Sequence, residues 1–275
     1  MQIGLNGSTT DPCTLEQDVK VAEQAGFDLL EMRTYKLEAF LKDHSLEDLG
    51  RLFKNSTARP DAVNAIEFFN LKQGNERQEV LEDTKKWCEI AQAAGSSYVV
   101  AVPSMLEEKT TKQVIIDDSV RMLREMSDIA SQYGIKLAVE FIGGEDSSVN
   151  NLELANNIIE QVDRDNIGLA IDVFHFHKSG SPASVISKLN VENLFIVQFN
   201  DAPDESLSNL EDNMRLLPDE GVASLDEIGR ELKNIGYDRM TSLELFREEY
   251  WEMDQQTVAD FSYRRLKSTI DRVYS

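Results

Sequence analysis

Apolar residues in this chain fall into short runs of strand length, separated by longer stretches in which they recur every three to four positions. The short runs are Ile3–Asn6, Leu29–Arg33, Ala62–Phe68, Tyr98–Pro103, Leu137–Phe141, Gly168–Asp172, Leu194–Phe199 and Ser242–Leu245. The longer stretches are Leu15–Ala25, Leu46–Asn55, Arg77–Ala94, Val114–Tyr133, Leu152–Val162, Ala183–Leu189, Leu225–Ile235 and Val258–Val273. Their period is helical. Gly26, Gly95, Gly134 and Gly236 each follow a periodic stretch and precede a strand, where a helix stop is expected.

Eight strands alternating with eight helices imply a parallel sheet with helices outside it. No Pro/Gly/Ser-rich linker breaks the series. The expectation is therefore an α/β fold, a (β/α)8 TIM barrel, with residues 1–275 as a single domain. Such a barrel needs about 250 residues. An open doubly wound sheet would carry a Gly-x-Gly-x-x-Gly loop after its first strand. Here that loop reads Asn6-Gly7-Ser8-Thr9-Thr10.

Period-two alternation then sorts the side chains of each strand. In the fifth, Leu137, Val139 and Phe141 share one face, which turns Ala138 and Glu140 toward the barrel axis. The same reasoning points Asp172, Gln198 and Glu244 inward from strands six, seven and eight. The C-terminal ends of barrel strands are where this fold builds its sites. Taken singly, each of these residues would be an ordinary polar group paired with Lys or Arg. Taken together, three carboxylates converging in a confined mouth would repel, and burying them unpaired costs several kcal/mol each, on the order of a lost ion pair. One divalent cation removes that conflict. An all-oxygen set suits a hard ion such as Mg²⁺ or Mn²⁺, with Co²⁺ or Zn²⁺ set by availability.

The formal net charge of −22 opposes binding to nucleic acid or anionic membranes, which needs clustered Lys and Arg. Two cysteines, Cys13 and Cys88, are too few for a disulfide framework and suit a reducing compartment. The apolar runs are too short to span a bilayer, and the N-terminal residues read as a strand rather than a basic leader. A cytoplasmic location is expected. The chain gives no sign of its oligomeric state, and a homo-oligomer is compatible with it.

The stretches Val139-Glu140-Phe141, Asp172-Val173-Phe174-His175-Phe176-His177 and Glu244-Leu245-Phe246-Arg247 resemble the metal-site motifs of the xylose-isomerase-like sugar isomerase/epimerase barrels. Within that superfamily the chain is most similar to the inosose (2-keto-myo-inositol) isomerases of bacterial inositol catabolism. The similarity extends through Glu31-Met32-Arg33-Thr34, Lys42-Asp43-His44-Ser45-Leu46, Val63-Asn64-Ala65, Phe68-Phe69-Asn70 and Val99-Val100-Ala101-Val102-Pro103. The resemblance implies Glu140, Asp172, Gln198 and Glu244 as the metal ligands. In the inosose isomerases the third of these is a histidine, whereas the hydroxypyruvate isomerases resemble this chain in carrying glutamine.

The chemistry so implied is proton transfer beside a carbonyl through a cis-enediolate. A Lewis acid polarises the ketone oxygen, and a base lies within about 3 Å of the carbon-bound proton. Glu140 and Glu244 would hold the two proton-transfer positions, with no direction assigned. By resemblance to the ketose epimerases, His175 would hydrogen-bond a substrate hydroxyl or the developing oxyanion. Arg215 precedes Leu216-Leu217-Pro218-Asp219-Glu220-Gly221, which resembles the family's Arg-x-x-Pro-Gly-x-Gly loop with Asp219 in place of a glycine, and it would clamp the substrate. Arg33, Asn6 and Asn64 at strand ends would serve ring hydroxyls, with His177 and Trp251 as further substrate neighbours. The resemblance implies a keto-cyclitol or similar ketose as substrate, and an unphosphorylated one is expected because the loops after strands seven and eight are acidic and glycine-free.

Other readings remain open. An inosose dehydratase shares the first step, as do hydroxypyruvate-type isomerases, and a non-catalytic sugar-binding barrel would explain Gln198 as damage to the site. A Schiff-base aldolase is excluded, since the one inward lysine, Lys136, lies at a strand's beginning. Three histidines and the acidic charge exclude a multi-zinc DNA-repair nuclease.

Overall fold

The computed structural model describes residues 1–106 and 109–274. Eight parallel strands close into a barrel in sequence order: β1 (Gln2–Asn6), β2 (Leu29–Arg33), β3 (Arg59–Ile66), β4 (Tyr98–Ala101), β5 (Lys136–Glu140), β6 (Ile167–Asp172), β7 (Leu194–Gln198) and β8 (Met240–Leu243). β1 pairs with β8 to complete the ring, through Gln2 with Met240 to Leu5 with Leu243.

Outside it run α1 (Leu15–Ala25), α2 (Thr34–Phe40), α3 (Leu46–Lys54), α4 (Gly74–Ala94), α5 (Lys112–Gln132), α6 (Leu152–Val162), α7 (Val173–Lys178), α8 (Leu225–Asn234), α9 (Glu248–Trp251) and α10 (Gln255–Val273). Their ends follow the sequence signals. Thr14 caps α1 in a reciprocal box with Gln17, and Gly26 and Gly95 close α1 and α4 at φ 97° and 86°.

The barrel divides the apolar residues as alternation requires. Leu137, Val139, Phe141, Leu169, Ile171, Val197, Leu243 and Leu245 belong to the large cluster between strands and helices. Ala62, Val100, Ala138, Ala170, Ile196 and Met240 fill the barrel's interior. Burying such side chains contributes roughly 1.5–3 kcal/mol each for the larger ones, so a one-residue slip of any strand is strongly disfavoured.

Three expectations differ from the structure. Ala183–Leu189 is not an α-helix but a 3₁₀ turn over Ala183–Lys188. The turn is bounded by Pro182 and Leu189, both extended, and short segments of this kind commonly take the tighter 3₁₀ form. β3 begins at Arg59 and ends at Ile66, with Arg59 and Pro60 already paired to Leu29 and Leu30 of β2 ahead of a register shift. Phe68 leaves the strand altogether at φ 58°. The short helices α2, α7 and α9 have too few turns to show a period. Among the described residues no helix is long and apolar enough to cross a membrane.

Candidate metal centre and active site

Glu140 ends β5, Asp172 ends β6, and Glu244 lies one residue beyond β8. Each offers a carboxylate oxygen, and these three oxygens lie within 4.8 Å of one another. All three residues are buried. Gln198 ends β7 between them, registered with Asp172 on one side and Ser242 on the other. Its Nε2 donates to Glu31 Oε1 at 3.1 Å. Its Oε1 is buried and has no hydrogen-bond partner.

The carboxylates are held unequally. Glu244 Oε1 accepts from Asn6 Nδ2 at 3.0 Å and from Arg33 Nη1 at 2.9 Å. Asp172 Oδ2 accepts from Asn200 Nδ2 at 2.7 Å, and its Oδ1 accepts the backbone N–H of His175 at 2.9 Å, capping α7. No hydrogen bond from the described residues reaches the Glu140 carboxylate. Burial pushes Glu140 well above the ordinary carboxylate range, and the negative charges of Glu244 and Asp172 push it further. Burial also raises Glu244, opposed by the guanidinium groups of Arg215 and Arg33. A divalent cation would relieve this repulsion among buried acids and take up the orphaned amide oxygen. The chemistry of this donor set, three carboxylates with the unpartnered Gln198 amide oxygen on the strand end between two of them, fits a divalent metal.

Arg215 is fully buried against this cluster. Its Nε lies 3.4 Å from Asp172 Oδ2, its Nη2 3.9 Å from Glu244 Oε2, and its Nη1 3.0 Å from Asp212 Oδ1. The rings of Phe174 and Phe246 each lie 4.9 Å from its guanidinium carbon. Aromatic faces on a cation replace part of its lost hydration. Burial pulls the Arg215 guanidinium down, but Asp172, Asp212, Glu244 and Glu140 outweigh it, and the group stays charged. His175, also buried, places Nε2 3.0 Å from Arg215 Nη2. Burial and the Arg215 charge hold the imidazole at about 4, so it is neutral. Gly143 makes room for this arrangement: a Cβ there would lie 2.3 Å from the His175 carbonyl oxygen.

A cavity of about 430 Å³ opens over the acids. Arg33, Asn64, Glu140, His175, Arg215 and Glu244 line it, as does the ring of Phe246. Lys178, Asp146, Asp212 and Phe68 stand along its wall. Of the residues expected to serve the substrate, Asn6 is instead fully buried, holding Glu244 from behind. His177 lines a separate cleft with Ser181, Ser224 and Glu227. Trp251 donates Nε1 to the Ser8 carbonyl at 2.9 Å and so ties down the loop after β1 rather than walling the cavity. Asp219, where the family carries glycine, adopts φ 70°, and its carboxylate accepts from Thr269 Oγ1 at 2.6 Å.

The sequence reading missed Glu31 and Asn200. Asn200 bridges Asp172 Oδ2 and the Glu244 carbonyl, at 2.7 and 3.2 Å. Glu31 is fully buried and accepts from Asn64, Gln198 and Ser242. Alternation along Leu29-Leu30-Glu31-Met32-Arg33 places Glu31 on the same face as Arg33, so the rule applied to strands five to eight would have found it.

The model of the xylose isomerase-like TIM barrel family matches residues 19–269. An inosose isomerase of Halalkalibacterium halodurans is 39% identical over 100% of this chain and 97% of its own length. An inosose isomerase of Bacillus velezensis is 37% identical over 100% of this chain and 98% of its own length. Among solved structures, the IolI protein with a bound zinc atom superposes at a TM-score of 0.97, with 36% identity and both chains covered completely.

Proposed function

The chain belongs to the xylose isomerase-like TIM barrel family, and we propose that it is a divalent-metal-dependent isomerase of a keto-cyclitol such as 2-keto-myo-inositol. The observation that carries this reading is the buried Glu140–Asp172–Glu244 cluster, of which Glu140 and Glu244 line the cavity, with the unpartnered Gln198 Oε1 on the strand end next to Asp172. The zinc atom held by the structurally similar IolI protein supports dependence on a divalent metal. The oxygen-only donor set here favours Mn²⁺ or Mg²⁺, and Co²⁺ or Zn²⁺ would also be accepted.

When bound, the metal supplies Lewis acidity to a ketone oxygen and its neighbouring hydroxyl. The protein's own residues supply the rest. Glu140 and Glu244 face the cavity from strand ends separated by β6 and β7, so that one takes the proton from the carbon bearing the hydroxyl. The other returns a proton to the former carbonyl carbon, while the hydroxyl proton passes to the former carbonyl oxygen and the carbonyl moves over by one carbon. Glu140, with no hydrogen-bond donor attached and its proton affinity raised by burial and by the neighbouring acids, is suited to accept and release a proton. Arg215 supplies a fixed positive charge beside the reacting oxygens, and Arg33 and Asn64 offer donors to ring hydroxyls.

The glutamine at position 198 does not argue for a lost site, because its oxygen is the unsatisfied atom. Incubating metal-loaded protein with 2-keto-myo-inositol and identifying the products tests the proposal. An isomeric inosose is expected. A dehydrated dione would instead assign a dehydratase, and turnover of small ketoses alone would refute the keto-cyclitol assignment.

A further inference from the structure

Gln198 meets two neighbours through the two ends of one amide. Its Nε2 donates to Glu31 Oε1, and its Oε1 is buried without a partner on the strand end registered with Asp172. Glu31 is itself inaccessible to solvent and takes three donors: Asn64 Nδ2 at 2.8 Å and Gln198 Nε2 at 3.1 Å on Oε1, and Ser242 Oγ at 2.8 Å on Oε2. Asn64 is fixed in turn, since its Oδ1 accepts from Arg33 Nη1 at 2.8 Å. An ionised carboxylate only accepts hydrogen bonds. Turning the Gln198 amide over would press its oxygen against Glu31 and aim its two N–H donors at the metal position.

We infer that Glu31 is the positioning residue that sets the Gln198 amide, making its oxygen rather than its nitrogen the fourth ligand of the metal centre. This rests on the metal-centre reading given above. A histidine at position 198 would ligate through a ring nitrogen. An amide presents a ligand at one end and a repulsive donor at the other, so it requires a buried acceptor behind it. Glu31 supplies that acceptor and Ser242 and Asn64 hold it in place. Outer groups that orient metal ligands typically change affinity about 10–100-fold when lost.

The test is titration of the metal-free protein with Co²⁺ alone, followed by its visible absorption. Glu31→Met removes the acceptor and is expected to weaken Co²⁺ binding about 10–100-fold and to alter the ligand-field bands. Glu31→Gln keeps an acceptor oxygen and is expected to stay within a few-fold of the parent. Equal weakening by both variants would overturn the inference, because it would mean that Glu31 acts through its charge alone. If Glu31→Met does not fold, a reciprocal exchange decides. Gln198→Glu sets two carboxylates face to face and weakens binding, and adding Glu31→Gln restores a donor–acceptor pair and recovers it. No recovery in the double variant would overturn the inference. A parent protein that binds no Co²⁺ would fail the metal-centre reading itself. A parent that binds and a Glu31→Met variant that matches it would fail this inference only.

Discussion

His175 Nε2 and Arg215 Nη2 face each other at 3.0 Å, and this contact fixes the proton on the other ring nitrogen. A guanidinium has donors only, so Nε2 is the acceptor and the imidazole is the neutral tautomer protonated at Nδ1. Nδ1 is buried without a partner. His175 therefore enters the site as a holder of Arg215 rather than as a proton acceptor through Nε2.

Replacing His175 with leucine removes the acceptor from a buried cation. Hydrogen bonds to charged groups contribute about 1.5–3 kcal/mol, so kcat/KM should fall roughly 10–100-fold. Co²⁺ affinity should stay within a few-fold, because His175 is not a ligand. His175→Gln, which keeps an acceptor, should recover part of the loss. Steady-state kinetics beside metal titration checks this, and a collapse of metal affinity in the leucine variant would contradict the assignment.

Glu140→Gln separates stability from activity. It removes one of three mutually repelling buried acids, and the one without a hydrogen-bond donor. The metal-free variant should be more stable than the metal-free parent by about 1–2 kcal/mol at pH 8, or a few degrees in Tm. Activity should fall by more than about 10³-fold, as expected when a proton-transfer group is lost. Melting curves with and without chelator would show whether the gain is confined to the metal-free state.

Much of this site could be read before the fold was known. Period-two alternation is enough to turn Glu140, Asp172, Gln198 and Glu244 inward, because each strand's outer face is marked by large apolar residues such as Leu137 and Ile171. Loop residues carry no such period. Trp251 and His177 sit on short helices or at their ends, and nothing in their spacing tells which cleft they face. The reach of Arg215 into the barrel mouth depends on the rings of Phe174 and Phe246, which come from two different strand ends. Glu31 was legible by the same alternation, but a carboxylate on strand two has no partner in the sequence until Asn64, Gln198 and Ser242 are brought beside it.

Asp61 predicts a pH dependence at the other end of β3. Its Oδ2 is buried without a partner, and burial, with Glu31 adding to it, pushes the carboxyl up to about 7. The folded state then binds more protons than the unfolded chain between about pH 4 and pH 7, so this group's contribution to stability declines as pH rises through that window. Asp61→Asn should remove the decline and stabilise the protein on the order of 2 kcal/mol at pH 8, with little change at pH 4. Urea unfolding across that range checks the sign.

Lys36 and Asp18 form a buried pair that anchors the loop after β1. Lys36 Nζ lies 2.7 Å from Asp18 Oδ2 and donates to the carbonyls of Gly7 and Thr10 at 2.8 and 2.9 Å. Lys36→Met leaves Asp18 without its cation and should destabilise the fold by about 3–5 kcal/mol. Burial already raises Asp18 to about 7, so the loss should be smaller below that pH. Adding Asp18→Asn should recover part of it, which denaturation of the double variant would reveal.

The proposed function has this chain move a proton beside a keto-cyclitol carbonyl under the control of one divalent metal, which Glu140, Asp172, Gln198 and Glu244 would hold. Proton NMR of 2-keto-myo-inositol in D₂O, with Mn²⁺-loaded protein removed before acquisition and a chelated control, tests it directly. Loss of the proton adjacent to the carbonyl, together with signals of a new inosose isomer in the metal-loaded sample alone, is the predicted result. Retention of that proton in both samples, or equal exchange in both, would contradict it.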